Sequence, residues 1–309
     1  MNSLKTFILI VLSGMMSAML VSCSGSSDQP SALEELSVFS SQGHLVMIGG
    51  GPRPAEIMEL IVSLSPDSTF IVVPMASAIA DTIGWEHRDM FLGYGAKSVD
   101  IMMLEDDDID RPEILEQLRT ASGIWFSGGD QRQLMHYFGT DAMRAAVHEA
   151  WQNGAVIAGT SAGTAVQSAV MITGDERHGV RQPFGIIRHE NVITTPGLGL
   201  LQNMIADQHF IRRSRLNRLF NVMLDEGVPF AAGIDEATAL WFAGDGMVEV
   251  VGESQVILLD ASGADSGIFA EGNLGARGIV THILPPGSRF RWDGTQVQDL
   301  ILPIDAAEL

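Results

Sequence analysis

Five short apolar runs set the limits on how this chain can fold. HLVMIGG starts at His44, TFIVVPMAS at Thr69, KSVDIMML at Lys97, GIWFSGG at Gly123 and AVIAG at Ala155, and each is bounded by Gly, Pro or a charge. Runs of this length without strict polar alternation suit strands buried on both faces. Between them, Ala55 to Leu64, Asp81 to Gly93, Pro112 to Thr120 and Asp141 to Gln152 carry apolar residues at spacings of three and four, with Gly or Asn at several exits. The alternation predicts a doubly wound α/β fold, a mostly parallel sheet flanked by helices. Beyond Ser168 the pattern loosens. NMIADQHF from Asn203 predicts a strand, Arg213 to Asp225 a helix, Phe230 to Leu259 strands in hairpin-like order, and GIVTHILPPGSRFRW an antiparallel addition at one edge. With 309 residues, 46% of them hydrophobic, one large domain over residues 43–309 is expected rather than two.

The N-terminus has a different build. MNSLKTFILIVLSGMMSAMLVSCSGSS places Lys5 ahead of an apolar stretch from Phe7 that ends at Leu20, Val21, Ser22 and Cys23. This is the layout of a signal peptide over residues 1–22, and its last four residues resemble a bacterial lipobox, in which cleavage before the cysteine leaves a lipidated N-terminus. The alternatives are an uncleaved anchor helix or an incidental cysteine. Residues 23–42, rich in Ser, would form a flexible tether. The expected setting is therefore outside the cytoplasm, on the periplasmic face of a membrane or the cell surface, with the lipid bilayer as a partner through Cys23. Cys23 is the only cysteine, which excludes a cysteine nucleophile and thiolate metal sites in the mature domain.

A formal charge of −20, from 38 acids against 18 lysines and arginines, excludes a nucleic-acid surface, because phosphate neutralisation needs a basic face. The one dense acidic run, EDDDID from Glu105, fits a solvated loop ahead of a helix opening at Pro112 better than a calcium site. No metal and no cofactor are expected.

In an open parallel sheet the ligand crevice lies beyond the carboxyl ends of the strands. GGGPRP follows the first run, SGGDQRQL the fourth and GTSAG the fifth. The G-x-S-x-G spacing from Gly159 to Gly163 suits a nucleophile elbow, a turn too tight for side chains at its flanks, which pushes Ser161 into the crevice. The amide of Ala162, at the start of the following helix, would face the developing oxyanion. A glycine-rich turn with a capping serine has the same spacing, so context decides. A serine nucleophile needs a base held by a third group. Of eight histidines, His209 closes a predicted strand among polar neighbours, whereas His282 sits inside IVTHIL, where a structural histidine is the better reading. Asp235 and Glu236 stand side by side in GIDEATAL, and since adjacent strand residues face opposite sides, only one can orient the imidazole. Arg212, Arg213, Arg215 and Arg218 crowd beside His209. On a helix from Arg213, Arg215 and Arg218 share a face and Arg213 points elsewhere. Arg212 and one more suit surface pairing with surplus acids, while the rest suit capture of a carboxylate.

SGGDQ, GTSAG, DQHF with RRSRLNRL, and GIDEATA, in that order between about Gly49 and Thr238, resemble the serine peptidase family S51, the cyanophycinases and their relative aspartyl dipeptidase. The resemblance implies a fold like the class I glutamine amidotransferases, with serine at the elbow. It implies Ser161 as nucleophile, His209 as general base and Glu236 as its partner, with Gly129 and Asp130 lining the oxyanion hole opposite Ala162. Gln131, Asp207, Gln208, Arg213, Arg215 and Arg218 would help to hold the substrate. That substrate would be a peptide cut at aspartyl residues, foremost cyanophycin, a poly-aspartate bearing arginine on its side chains, cleaved to dipeptides through an acyl-enzyme. A homodimer is left open. Two rivals remain: an α/β-hydrolase esterase using Ser161, Asp260 and His282 in that chain order, and a lipid-anchored protein that captures acidic peptides without cleaving them.

Overall fold

The computed structural model describes residues 41–179 and 184–303; the expected signal peptide, Cys23 and the expected tether up to residue 40 lie outside them. In chain order the first half runs β1 (His44–Ile48), α1 (Ala55–Leu64), β2 (Thr69–Val73), α2 (Ala80–Gly93), β3 (Ser98–Ile101), α3 (Pro112–Arg119), β4 (Gly123–Phe126), α4 (Gln131–Phe138), α5 (Asp141–Gln152), β5 (Val156–Thr160) and α6 (Ala162–Ala165). The second half runs β6 (Val170–Glu176), β7 (Val192–Pro196), β8 (Met204–Asp207), α7 (Leu216–Asp225), β9 (Phe230–Ile234), β10 (Thr238–Phe242), β11 (Met247–Gly252), β12 (Val256–Asp260), β13 (Asp265–Ile268), β14 (Leu274–Arg277), β15 (Val280–Leu284), β16 (Arg289–Trp292) and β17 (Val297–Ile301).

Among the described residues, nine strands form the central sheet in the order β17-β16-β11-β10-β1-β5-β4-β2-β3. The five strands of the first half are parallel, and β10, β11, β16 and β17 extend the sheet from β1 in antiparallel pairs. Because successive side chains point to opposite faces, each apolar run supplies two cores at once. Leu45, Met47, Ile71, Val73, Ile124, Phe126 and Ile157 pack with α3, α5 and a second sheet. Val46, Ile48, Phe70, Val72, Trp125 and Ala158 pack against α1 and α2. This double burial explains why the runs lack a polar face. The second sheet, in the order β15-β12-β9-β8, is covered on its far face by Leu219, Val222 and Met223 of α7.

Three details depart from the sequence reading. The segment after β4 contains a further helix, α4, capped by the Asp130 side chain, which accepts from the Arg132 N–H at 2.9 Å. The strands from Phe230 onward are not consecutive hairpins: β9 pairs with β8 and β12, whereas β10 pairs with β1 and β11. The chain changes sheet through Asp235, Glu236 and Ala237, the last at φ +55°. GIVTHILPPGSRFRW is likewise divided, β15 at the edge of the second sheet and β16 inside the central one. Spacing and apolarity are the same for a strand that returns to its neighbour and one that crosses over, so the pattern holds no sign of the change.

In the acidic loop, Asp108 pairs with Arg111 at 2.7 Å and Asp106 with His136 at 2.7 Å. Among the described residues no group of three acidic, His or Cys side chains is placed to hold a metal.

Candidate active site

The ends of β1, β4 and β5 lie in register, Ile48 opposite Thr160 and Phe126 opposite Gly159, so the loops that follow them meet at one rim. Ser161 leaves β5 at φ +53° and ψ −107°, a conformation rarely adopted by a residue with a side chain. It is held there by its own backbone bonds. The Ser161 N–H donates to the Ile48 carbonyl at 3.0 Å, and its carbonyl accepts from Thr164 and Ala165, each at 3.0 Å. The Thr164 hydroxyl donates to the Ile48 and Gly159 carbonyls at 2.7 and 3.0 Å. The flanking glycines are required sterically: a Cβ on Gly159 would stand 2.4 Å from the Gly163 oxygen, and one on Gly163 2.2 Å from that of Phe126. The local geometry is thus that of an elbow presenting the hydroxyl, not of a serine that caps its own helix, for its side chain accepts no capping bond.

His209 follows β8 at φ +50°. Its N–H donates to the Gly49 carbonyl at 2.6 Å, and its carbonyl accepts from Arg213 at 3.0 Å. Nε2 lies 2.9 Å from Ser161 Oγ and Nδ1 2.6 Å from Glu236 Oε1. A carboxylate can only accept, so Nδ1 carries the proton and Nε2 is free to accept from the serine. Burial holds the imidazole below its ordinary pKa, assisted by Arg213 and Arg215 and opposed by Glu236, so the resting ring is neutral. The sheet-changing turn delivers Glu236. Its neighbour Asp235 faces the other way, accepting from the Arg212 N–H and the Ser254 hydroxyl, both at 2.9 Å. A Cβ on Gly50 would lie 2.3 Å from the imidazole, so the glycine loop after β1 permits His209 to approach at all.

A cavity of about 270 Å³ opens from Ser161 toward Gln131, Gln208, Arg213, Arg215 and Arg218. The helix expected from Arg213 begins only at Leu216. Residues 210–215 form turns instead, with Ser214 at φ +51°, and this curls Arg213 into the same cavity as Arg215 and Arg218. The three arginines differ in their partners. Arg218 is 2% exposed and binds Asp207, itself 1% exposed, through Nε at 2.8 Å and through Nη2. Asp207 is the buried counter-ion of Arg218 rather than a residue presented to the cavity, which corrects its expected place among the substrate contacts. Arg215 donates to the Gln208 carbonyl at 2.7 Å and to its Oε1; the carboxylate that, among the described residues, lies within ion-pair distance of it, Asp207 at 3.9 Å, is already engaged. Burial, with Arg218 and Arg213 nearby, pulls the Arg215 guanidinium down to about 10, still a cation at neutral pH. Arg213 has no carboxylate within ion-pair distance among the described residues. Gln131 is tethered by Nε2 to the Ile172 and Thr173 carbonyls, both at 2.8 Å.

The oxyanion residues also divide. Gly129, at φ +142°, lies so close to the loop after β2 that a Cβ would fall 2.0 Å from the Ala76 oxygen. The Asp130 N–H donates to that same oxygen at 2.8 Å, and its carboxylate binds Arg132 at 2.7 Å. Asp130 is therefore committed to the turn, a correction to its expected share in the oxyanion hole. Among the described residues the N–H groups of Gly129 and Ala162 have no protein acceptor.

A family model described as peptidase family S51 matches residues 45–250. The chain belongs to peptidase family S51. A cyanophycinase of Synechococcus elongatus is 30% identical over 275 residues, covering 85% of this chain and 83% of that protein. A cyanophycinase of Trichormus variabilis is 26% identical over 274 residues, covering 85% and 90%. The crystal structure of a peptidase from an acI-B1 actinobacterium superposes with a TM-score of 0.60 at 24% identity, covering 81% of this chain and 97% of that one, a likeness of fold. This S51 member is a serine peptidase of the cyanophycinase type.

The esterase constellation is not assembled in the S51 fold. Asp260 and His282 lie on β12 and β15 of the second sheet, paired with Val280 and Leu258, and the imidazole on Ser161 Oγ belongs to His209. His282 is half-exposed on an edge strand rather than enclosed in an apolar run. Sequence reasoning missed a second cavity of about 190 Å³ on the other side of Ser161, where Arg53, Ser77, Ile83 and His87 meet the glycine loop. GGGPRP marked that loop, but nothing in the α2 pattern set His87 apart from any other helix histidine.

Proposed function

We propose that this peptidase hydrolyses peptide bonds at aspartyl residues by acyl transfer from Ser161, with cyanophycin as the foremost substrate. One observation carries the reading: an unbroken Ser161, His209, Glu236 hydrogen-bond chain opens onto a cavity in which, among the described residues, Arg213 has no carboxylate within ion-pair distance and Arg215 only one already bound to Arg218. His209 Nε2 takes the proton from Ser161 as Oγ attacks the scissile carbonyl, and Glu236 holds the imidazolium. The carbonyl oxygen gathers charge against the amides of Gly129 and Ala162. Collapse of the tetrahedral adduct breaks the C–N bond, and His209 returns the proton to the leaving amine. Water, deprotonated by the same nitrogen, then attacks the acyl-enzyme and releases the acid and free Ser161.

Arg213 and Arg215 are the substrate-binding pair in this reading, since planar guanidinium groups capture carboxylates in two-point fashion. Gln208 and Gln131 shape the cavity wall, and the Asp207 and Arg218 pair fixes the base on which they stand. The names of the curated relatives support cyanophycin, and the layout of sheet, elbow and base supports kinship with the class I glutamine amidotransferase fold. The lipobox pattern at Leu20 to Cys23 supports export and lipid anchoring. Incubating the purified protein with cyanophycin and with aspartyl peptides, with Ser161→Ala as control, tests the reaction. Release of aspartyl-arginine dipeptides by the native chain alone is the expected result, and an unchanged polymer with intact aspartyl peptides rejects it. For the anchor, Cys23→Ala is expected to move the protein from the membrane to the soluble fraction.

A further inference from the structure

The two cavities that meet at Ser161 have no other lining residue in common. A peptide attacked at that hydroxyl can therefore lay its acyl half in one and its leaving half in the other. If Arg213 and Arg215 hold the acyl half, as proposed above, the leaving half enters the cavity of Arg53. The placement of the base agrees, because Gly50, which packs on the His209 imidazole, lines this second cavity, and it is His209 that must reach the departing amine.

Arg53 is built for a ligand rather than for the fold. It stands between Pro52 and Pro54, whose rings restrict the backbone on both sides, and Pro54 immediately precedes α1. The side chain is half-buried. Yet among the described residues no carboxylate lies within ion-pair distance of it and no acceptor takes its hydrogen bonds, in a chain with a twofold excess of acids. Glu86 acts on it only through space, and burial holds the guanidinium below its usual pKa. Beside it, the Trp125 indole N–H donates to His87 Nδ1 at 3.0 Å. That bond fixes the tautomer, so Nε2 of the neutral ring carries a proton and is a donor. Burial, then Arg53, pulls His87 down to about 4, so it adds a donor to the site and no second charge at neutral pH.

We infer that Arg53, with His87 as a neutral donor, binds a carboxylate on the leaving side of the scissile bond. This rests on the acyl-transfer reading for its sense of direction. The carboxylate could be the chain terminus of the departing residue or its acidic side chain, and the two are separable. Calorimetric titration of Ser161→Ala with aspartyl-leucine, aspartyl-leucinamide and aspartyl-aspartamide reads binding without turnover. At least one of the two peptides with a leaving-side carboxylate is expected to bind about tenfold or more tightly than the leucinamide. Preference for aspartyl-leucine identifies a terminal carboxylate, and preference for aspartyl-aspartamide a side chain. Adding Arg53→Gln is expected to abolish the preference while leaving affinity for the leucinamide unchanged, and Arg53→Lys to restore part of it. Equal affinity for all three peptides, or a preference that survives Arg53→Gln, overturns the inference. Turnover by the native chain is scored separately, so absence of hydrolysis would reject the peptidase reading and leave the binding comparison to decide this one.

Discussion

The cavity of Arg213 and the cavity of Arg53 touch at Ser161 and are built on opposite electrostatic plans. In the first, the cations outnumber the acids, but two of the four arginines are spoken for: Arg218 by Asp207, Arg132 by Asp130 and Asp175. In the second, glycines, Ile83 and His87 stand around one arginine that, among the described residues, has no carboxylate within ion-pair distance. Counting arginines would make the first cavity the stronger anion site by a wide margin. Following their partners leaves, among the described residues, two cations without an uncommitted carboxylate against one. A guanidinium bound to a buried carboxylate positions the groups around it, and only one without such a partner gains by meeting a ligand.

The largest effect is expected where the two cavities meet. Ser161→Ala or His209→Ala should lower kcat by about 10⁴-fold or more, since members of a catalytic unit fail together, while binding of aspartyl peptides stays within a few-fold. Glu236→Gln should keep the fold and lose a smaller but large part of kcat, because an amide can donate to Nδ1 and no longer fixes the tautomer. Steady-state kinetics beside calorimetry separates the two quantities. A fall in affinity that matched the fall in kcat would mean that these residues hold the substrate and do not transform it.

The next comparison is within the arginine-rich cavity. Asp207→Ala leaves Arg218 buried without its counter-ion, at a cost of about 3–5 kcal/mol of folding stability. Arg213→Gln removes an exposed cation without a carboxylate and should stay within about 0.5 kcal/mol of the native chain. Urea unfolding of both variants tests the division, and equal destabilisation would show that the two arginines are not of different kinds.

That division was only partly legible in the sequence. Apolar runs predicted the parallel half of the sheet because β1, β2, β4 and β5 are covered on both faces, which erases polar alternation and leaves an unmistakable stretch. The elbow was visible because steric demand fixes glycine at 159 and 163. His209 stood out as a polar strand end, whereas residue pattern alone could not choose between Asp235 and Glu236, since the choice depends on a change of sheet. Arg213 was assigned to a helix because RRSRLNRL has helical composition; the left-handed backbone at Ser214 delays the helix by three residues, and no side-chain pattern announces it. Arg53 lacked any signal of its own, for an isolated cation between prolines has no periodicity to read.

A subtler test of the unpaired cations lies in substrate preference. Arg213→Gln is expected to raise KM about tenfold for an aspartyl substrate and to leave an alanyl analogue unaffected, the behaviour of a group that binds the ground state and the transition state alike. An equal rise for both substrates would place Arg213 outside the carboxylate site.

The smallest expected effect is a displacement of the pH profile. The base works as neutral imidazole, and burial together with Arg213 and Arg215 holds His209 below its ordinary pKa, so the acidic limb of kcat/KM should fall below the value of a free histidine. Removing a neighbouring cation relieves one cause of that depression. In Arg213→Gln the imidazole should protonate more readily and the limb should move to higher pH, whereas Arg53→Gln, which is not among the groups acting on His209, should leave it in place. Stability has the same sign: with the folded-state pKa depressed, His209 favours the native chain above the ordinary imidazole range, and that contribution is lost as pH falls through the folded value. A limb that moved equally in both variants would show that the two cavities act on the base alike, and the electrostatic contrast between them would then have no bearing on catalysis.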